Sequence, residues 1–246
     1  MKILVCISKS PDTTTKIVFK ENNSQFDDAM VQYIVNPYDE WYALVRALEL
    51  KETFGGNVTI INVGLAENDA IIRKALAIGA DDAVRIDADP SDALYTAEQI
   101  AAYAKVQNFD LILTGKETIN YNGSAIGGMV AELLGLPYVS LATKLVIAVN
   151  TATIEQDIDG GTQVVECDLP LVISAAKGMA EQRIPNMRGI MAARTKSLTV
   201  VSAIDSPKLT AVKSYTLAEG RIDCKYINSS EPEKLIELLH TEAKVI

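Results

Sequence analysis

The composition of the 246-residue chain excludes several classes of protein. Apolar residues make up 48% and charged residues 22% of the sequence, which is typical of a folded globular protein rather than a disordered one. The 32 acidic and 23 basic residues give a net charge of −9, which argues against a nucleic-acid-binding or anionic-membrane-binding surface. The length is enough for one large domain, or for a domain with an appendage.

The few cysteine and histidine residues argue against a metal site and against histidine-dependent catalysis. Cys6, Cys167 and Cys224 are far apart and form no CxxC pair, so no zinc or iron–sulfur spacing is present. The single histidine, His240, lies in a predicted C-terminal helix and is interpreted as a solvated residue. Sparse cysteines suit a reducing compartment, and no apolar run has the length of a signal peptide or a membrane span. We therefore expect a soluble, cytoplasmic protein.

The first half of the chain alternates strand and helix patterns. Apolar, β-branched runs predict strands over residues 3–7, 57–63, 83–86 and 110–113. Apolar residues at helical spacing predict helices from Asp39 to the Gly55-Gly56 pair, around 71–76 before Gly79, and over 90–105. The polar stretch 8–28 is predicted to be a loop or an edge hairpin. Strands separated by helices in this way predict βαβ units and a parallel sheet.

The second half begins with short strands joined by tight turns. Strands are predicted over 139–147, 151–157, 162–168 and 171–176, with a hairpin turn at Asp159-Gly160-Gly161. A short helix near Ile190, a polar stretch over 202–230 and an amphipathic helix over 235–239 follow. The predicted fold is α/β: a mostly parallel, doubly wound twisted sheet with flanking helices, a β-hairpin region and a C-terminal arm. The predicted domain boundary separates residues 1–190 from the arm, 191–246.

Ligands of open α/β sheets bind outside the carboxyl ends of the strands, where the strand order reverses. The candidate loops here begin at Ser8 and span residues 36–39, 63–64 and 114–128. In the last of these, small residues lead into a helix, whose free N–H groups favour a phosphate. The alternative is that Gly127 and Gly128 only allow close packing of that helix. The spacing alone leaves both interpretations open.

Motifs for nucleotide cleavage are absent. The sequence has no GxxxxGK[ST], and neither GxGxxG nor an SGGxDS-type loop follows the first predicted strand. Asp157 and Asp159 flank the hairpin turn, where aspartate is expected for turn geometry rather than for acid/base catalysis. These absences weaken a nucleotide-cleaving role but not nucleotide binding itself.

A basic segment interrupts the acidic chain. Residues 182–204 contain no Asp or Glu but include Arg183, Arg188, Arg194 and Lys196, a local charge of +4. Apolar residues are interleaved with them: Ile184, Met187, Ile190 and Met191. Exposed Met and Ile beside Arg are typical of a docking surface for an acidic partner. A basic helix packed on its own domain is the alternative.

Motifs in this order and spacing resemble the small (beta) subunit of electron transfer flavoproteins. They are Asn36-Pro37-Tyr38-Asp39-Glu40, Ala77-Ile78-Gly79-Ala80-Asp81, Gly115-Lys116-Glu117-Thr118-Ile119, Ile158-Asp159-Gly160-Gly161 and Arg188-Gly189-Ile190-Met191-Ala192-Ala193-Arg194. The resemblance extends from the N-terminus to about Lys196, and the rest of the chain matches only loosely. Each motif is weak alone, but the set in register is specific.

The resemblance implies an electron carrier rather than an enzyme. It implies a heterodimer with an alpha subunit that holds most of the FAD, and a C-terminal arm that wraps that subunit. Electrons would come from acyl-CoA or other flavin dehydrogenases and pass to a quinone oxidoreductase. The small subunit of such proteins usually holds a structural AMP. The matching positions are Cys6 (through its backbone), Asn36, Pro37, Tyr38, Asp39, Val63, Gly115, Lys116, Glu117, Thr118, Asn120, Asn122, Gly123, Ser124, Ala125 and Ile126.

The basic segment matches the family's recognition loop, near residues 183–194. The resemblance implies docking through Arg183, Ile184, Met187, Arg188, Ile190 and Met191, with Met187 as the apolar anchor. The family often has Thr or Gln where Ala125 and Ile126 stand, which would leave Ser124 and the backbone to hold the phosphate. Asp157 stands where the family has a Glu near the flavin.

Other interpretations of the positions that match the AMP site stay open. Electron-bifurcating relatives hold a second FAD in place of AMP, but residues 120–127 do not follow their Asp-Gly-Asp-Thr-Ala-Gln-Val-Gly-type loop. An adenine-nucleotide-binding enzyme or sensor on a related fold is the remaining alternative. The missing Gly-rich loop argues against the enzyme, and the Arg/Met segment against the sensor.

Overall fold

The centre of the fold is a nine-stranded, mostly parallel sheet. A computed structural model describes residues 1–220 and 224–246 of the chain. The strands are β1 (Lys2–Cys6), β2 (Lys9–Pro11), β3 (Phe19–Lys20), β4 (Gln25–Phe26), β5 (Tyr33–Val35), β6 (Asn57–Val63), β7 (Asp82–Asp87), β8 (Leu111–Gly115), β9 (Tyr138–Ala148), β10 (Thr151–Ile158), β11 (Gly161–Asp168), β12 (Leu171–Ala175) and β13 (Leu198–Ser202). The helices are α1 (Asp39–Phe54), α2 (Asp69–Ile78), α3 (Ala93–Lys105), α4 (Ile126–Leu134), α5 (Met187–Ala193) and α6 (Pro232–Leu238), with a 3-10 turn at Ala66–Asn68 and a π turn at Leu239–Ala243.

The strand order in the large sheet is β11-β10-β9-β12-β8-β1-β6-β7-β13. Only β10 runs antiparallel to its neighbours, β9 and β11, and all other neighbouring pairs are parallel. After β1 the chain continues to β6, toward one edge of the sheet, whereas after β8 it continues to β9, toward the opposite edge. The order therefore reverses between β1 and β8, and the α/β fold class is confirmed.

Helices cover both faces of this sheet, because the central strands are apolar on both sides. In β1, Ile3 and Val5 belong to the cluster that includes α1 and α2, whereas Leu4 and Cys6 belong to the cluster that includes α3 and α4. The three aliphatic residues Ile3, Leu4 and Val5 are completely buried. Each such side chain contributes roughly 1.5–3 kcal/mol to folding.

Local signals set the ends of the helices. Helix α1 ends where predicted, at Gly55, which adopts φ 70°. Helix α3 begins at Ala93 rather than at the predicted residue 90, because the Asp92 carboxylate accepts a hydrogen bond from the N–H of Tyr95 and caps the helix there. None of the helices among the described residues has the length and apolar character needed to cross a membrane.

The chain beyond residue 190 contributes to the sheet. Leu198–Ser202, which the sequence analysis placed in the arm, forms the edge strand β13 and pairs with β7 in parallel. Beyond it, Gln99 exchanges two hydrogen bonds with the backbone of Ile204, and Tyr215 stacks on Phe19. The first part of the predicted arm therefore lies on its own domain. The predicted boundary itself stays a prediction, and residues 221–223 of the arm lie outside the described residues.

Candidate functional site

The carboxyl end of β1 is held in place by buried polar side chains. The Glu40 carboxylate, at the start of α1, accepts hydrogen bonds from the N–H and the hydroxyl of Ser8, each at 2.8 Å. The Asn62 amide donates to the carbonyl of Ile7 at 2.9 Å and accepts from the Asn68 amide at 2.9 Å. Glu40, Asn62 and Asn68 are all buried, so this backbone is fixed from two sides.

The end of β8 lies directly against the start of α1. A Cβ added to Gly115 would lie 2.7 Å from Cγ and 2.8 Å from the backbone N of Glu40, and 3.1 Å from Cβ of Asp39. Only glycine allows this approach. The next residue, Lys116, donates its N–H to the carbonyl of Ala175 at 2.8 Å. The ends of β1, β8 and β12 therefore meet around the first turn of α1, and we call the space at the ends of β1 and β8 the switch-point crevice.

Asn36 connects the segment before α1 to the loop after β8. Its side chain is completely buried, donates to the carbonyl of Glu117 at 2.9 Å and accepts from the N–H of Ile119 at 3.3 Å. Asp39 is also buried, and burial raises the pKa of its carboxyl while Lys116 opposes the rise. The two predicted segments 36–39 and 115–126 are thus in contact.

The loop between β8 and α4 presents polar groups to solvent. Asn122 and Ser124 adopt positive φ values of 49° and 48°. The Ser124 hydroxyl donates to the Glu117 carboxylate at 3.2 Å, and Lys116 lies 3.2 Å from the same carboxylate. A Cβ added to Gly123 would meet nothing within 4 Å. The left-handed Ser124 followed by the right-handed Ala125 is the alternation that forms anion-binding nests.

The first turn of α4 has free hydrogen-bond donors. No side chain caps this helix, and its first backbone hydrogen bond runs from the N–H of Met129 to the carbonyl of Ala125 at 3.1 Å. Among the hydrogen bonds of the described residues, the N–H groups of Ile126, Gly127 and Gly128 have no acceptor. Such N–H groups at a helix N-terminus stabilise an anion. This donor set fits the phosphate of a mononucleotide.

Close packing explains one of the two glycines that the sequence left ambiguous. A Cβ on Gly127 would lie 2.8 Å from the Thr114 hydroxyl and 3.0 Å from the Tyr138 ring, so this glycine permits the helix to approach β8 and β9. A Cβ on Gly128 would make an ordinary contact of 3.4 Å with Tyr138. The packing and the free donors therefore occur in the same helix turn.

Burial shifts the ionisation of two groups beside the crevice. Burial raises the pKa of Glu40 to about 7, although the Ser8 hydrogen bonds oppose the shift. Burial, followed by the nearby Glu40 carboxylate, raises the pKa of the Cys6 thiol well above its ordinary value. Cys6 is therefore a neutral thiol at physiological pH, which agrees with its interpretation as a small buried side chain.

Residues 183–194, for which the resemblance implies docking and which we call the docking segment, pack on the domain by one face only. Asn186 caps α5 by accepting from the N–H of Gly189 at 2.8 Å. A Cβ on Gly189 would lie 2.4 Å from the carbonyl oxygen of Ala77, so this glycine allows α5 to pack on α2. The other side exposes apolar residues: Ile184 is 88%, Met187 74%, Ile190 40% and Met191 56% exposed. One face of the segment therefore packs on its own domain and the other is exposed, and docking through the exposed face stays a prediction.

Two of the basic side chains of this region hold it to the domain. The Arg183 guanidinium forms a bidentate ion pair with Glu52, in which Nη2 and Oε2 lie 2.9 Å apart. The backbone carbonyl of Arg183 accepts a hydrogen bond from the indole N–H of Trp41 at 3.3 Å. Lys196 donates to the carbonyl of Leu76 at 3.0 Å. Arg188 and Arg194 are exposed. The solvent-facing positive charge of the region is thus smaller than the sequence suggested.

Comparisons with known proteins give the family. Residues 24–206 match the family model of the electron transfer flavoprotein domain. The electron transfer flavoprotein beta subunit of Bacillus subtilis is 35% identical to the chain, and the similarity covers all of both proteins. The chain belongs to the electron transfer flavoprotein beta-subunit family. The beta subunit of Syntrophomonas wolfei is also 35% identical, over 100% of this chain and 98% of that protein.

Membership in this family assigns the chain an electron-transfer role in a flavin-containing system. The similarity extends to eukaryotes, since the mitochondrial beta subunit of Oryza sativa subsp. japonica is 30% identical over the full length of both chains. The resemblance inferred from the sequence motifs is thereby confirmed.

The structure adds residues that the sequence analysis did not select. The sequence indicates Ser8 only as the start of a loop and Glu40 only as part of a motif, and it does not indicate Asn62 or Asn68. The contacts of Ser8 with Glu40 and of Asn62 with Ile7 join residues that are far apart in the chain, so no local pattern indicates them. Of the selected positions, Cys6 and Val63 are buried strand residues, whereas Tyr38, Asn120, Asn122 and Gly123 are exposed. A nucleotide-binding role for the selected set stays a prediction.

Proposed function

We propose that the chain is the small subunit of a heterodimeric electron transfer flavoprotein and binds AMP in the switch-point crevice. In the assembly, an alpha subunit holds most of the FAD, which supplies the redox chemistry. The full-length similarity to proteins named as beta subunits carries the proposal. The role is that of an electron carrier between flavin dehydrogenases and a quinone oxidoreductase, and the three free cysteines fit the reducing cytoplasm.

AMP is the nucleotide that the donor groups favour. The free N–H groups of Ile126, Gly127 and Gly128 would hold one phosphate at the start of α4. The Ser124 hydroxyl, which donates to Glu117 in this structure, would turn from that carboxylate to the phosphate. The side chain of Asn36 keeps the 117–119 backbone in position for the rest of the nucleotide. The AMP would bind, fill and stiffen the crevice without taking part in bond chemistry.

Identification of the bound nucleotides tests this function. The chain is co-expressed with its alpha subunit, the purified complex is extracted with acid, and the released nucleotides are separated and quantified. We expect one FAD and one AMP per heterodimer. Two FAD and no AMP would show a bifurcating type of subunit instead, and the absence of any flavin would refute the proposal.

We propose further that the exposed apolar face of the docking segment contacts the dehydrogenase. Met187 is 74% exposed, more than the other large apolar residues of α5, and an unbranched methionine adapts to varied apolar pockets. Arg188 and Arg194 beside it would complement an acidic rim. The proposed contact and the proposed phosphate site at the start of α4 involve different residues, so docking and cofactor content are separable in an experiment.

A Met187→Ala variant is expected to raise the KM for the cognate dehydrogenase about tenfold, since truncation of an interface anchor typically costs 1–2 kcal/mol or more. FAD and AMP content are expected to stay at wild-type values. Steady-state assays with the dehydrogenase measure the change. Met30→Ala, at a methionine that is 97% exposed outside the docking segment, is the matched control. A wild-type KM in Met187→Ala would remove the anchor role.

A further inference from the structure

Glu40 makes contacts on both sides of the switch-point crevice. Its carboxylate oxygens accept from the N–H and the hydroxyl of Ser8 at the end of β1, each at 2.8 Å. Its backbone N and Cγ lie against Gly115 at the end of β8, where even a methyl group has no space. Only 6% of Glu40 is exposed. One buried residue therefore joins the ends of the two strands between which the sheet order reverses.

The surroundings of Glu40 lack a compensating cation in direct contact. No salt bridge to Glu40 occurs among the described residues, and its hydrogen-bond donors are both on Ser8. The groups that face it are Asp39 on the same helix and the Cys6 thiol on β1. A buried carboxylate without an ion pair is expensive to retain on stability grounds alone. Its contact with Ser8 indicates that it has a positioning role.

We propose that Glu40 is a positioning residue for the nucleotide: by holding Ser8 while it lies against Gly115, it sets the spacing between the ends of β1 and β8. The inference rests on the AMP binding proposed above. Ser8 follows Cys6 and Ile7, whose backbone lines the β1 side of the crevice, and Asn62 already fixes Ile7 from the other strand. Loss of the Glu40 contact frees Ser8 and loosens that side of the site.

Two substitutions at Glu40 separate hydrogen bonding from charge. In Glu40→Gln the amide oxygen accepts from the Ser8 N–H and the amide nitrogen donates to the Ser8 oxygen, so the contact is kept without the charge. In Glu40→Met a side chain of similar length has no acceptor, so the Ser8 N–H loses its partner. Glu132→Met, at an exposed carboxylate of α4, is the control for the same chemical change elsewhere.

The experiment measures AMP dissociation from the purified heterodimer after dilution into nucleotide-free buffer, with the remaining AMP quantified by chromatography. We expect dissociation about tenfold faster in Glu40→Met, equivalent to about 1.4 kcal/mol. Glu40→Gln and Glu132→Met are expected to release AMP at the wild-type rate. Equal rates in Glu40→Met and wild type would overturn the inference, as would a Glu40→Gln variant as fast as Glu40→Met.

Ser8→Ala gives a second test, in case Glu40→Met does not fold. It removes the hydroxyl that donates to Glu40 at 2.8 Å but leaves the buried carboxylate in place. We expect AMP dissociation about threefold faster, and an unchanged rate would count against the inference. The proposed function fails separately, because it requires that wild-type heterodimer contains AMP at all.

Discussion

A Gly115→Ala variant is expected to lose AMP and to unfold at a lower denaturant concentration. The added methyl group would lie 2.8 Å from the backbone N of Glu40, and a backbone atom in the first turn of a packed helix has little freedom to move. Overpacking of this kind typically costs 1–3 kcal/mol, and we expect about 3 kcal/mol here. The start of α1 would move away from β8, which opens the crevice.

Gly161→Ala is the matched control for Gly115→Ala. It makes the same substitution at the start of β11, outside the crevice, where the added methyl group would meet nothing within 4 Å. Its unfolding midpoint is expected to lie close to the wild-type value. Urea unfolding and acid extraction of AMP compare the two variants with wild type. Similar behaviour of both variants would show that the close approach of α1 to Gly115 is not what shapes the site.

Much of the fold follows from periodicity in the sequence. The central strands are buried on both faces, so their β-branched runs are continuous and easily recognised, as in residues 3–7. β13 was missed because it is an edge strand whose side chains are mostly half-buried or exposed, so Leu198–Ser202 has neither an apolar run nor strict alternation. Its place in the sheet comes from pairing with β7, a contact across more than 100 residues.

The candidate site was less accessible to sequence reasoning. The loop over 115–126 was found because a strand, a glycine and small residues before a helix are adjacent in the chain. The contact between Ser8 and Glu40 spans 32 residues, and the one between Ile7 and Asn62 spans 55. Such contacts depend on the tertiary fold. The same limit applies to Arg183, whose ion pair with Glu52 is invisible in a local count of charges.

The assembled protein is expected to lose stability as the pH rises from about 4.5 to about 7, and Glu40 is the cause. Burial raises the pKa of Glu40 from 4.5 to about 7, so the folded chain binds this proton more tightly than the unfolded chain. The stabilisation is complete below the unfolded pKa and is lost as the pH passes the folded pKa. A shift of this size corresponds to about 3 kcal/mol, as an order of magnitude.

Other carboxyl groups affect a lower pH range. Hydrogen bonds lower the pKa of Asp92 and Glu52, so these groups stabilise the folded state above their ordinary pKa values and lose that contribution in acid. Burial raises the pKa of Asp39, which adds to the loss of stability as the pH rises above the ordinary pKa of this group. A direct comparison with Glu40→Gln isolates the contribution of Glu40, because these other groups are common to both proteins.

Urea unfolding of wild type and Glu40→Gln, side by side from pH 4.5 to pH 8, measures this contribution. The glutamine does not titrate, so the variant is expected to gain stability relative to wild type as the pH rises, by about 3 kcal/mol over the range. The gain should level off above about pH 7, where Glu40 is ionised in both states. Parallel curves would show that Glu40 ionises in the folded protein as readily as in the unfolded chain, because water or a cation reaches its carboxylate.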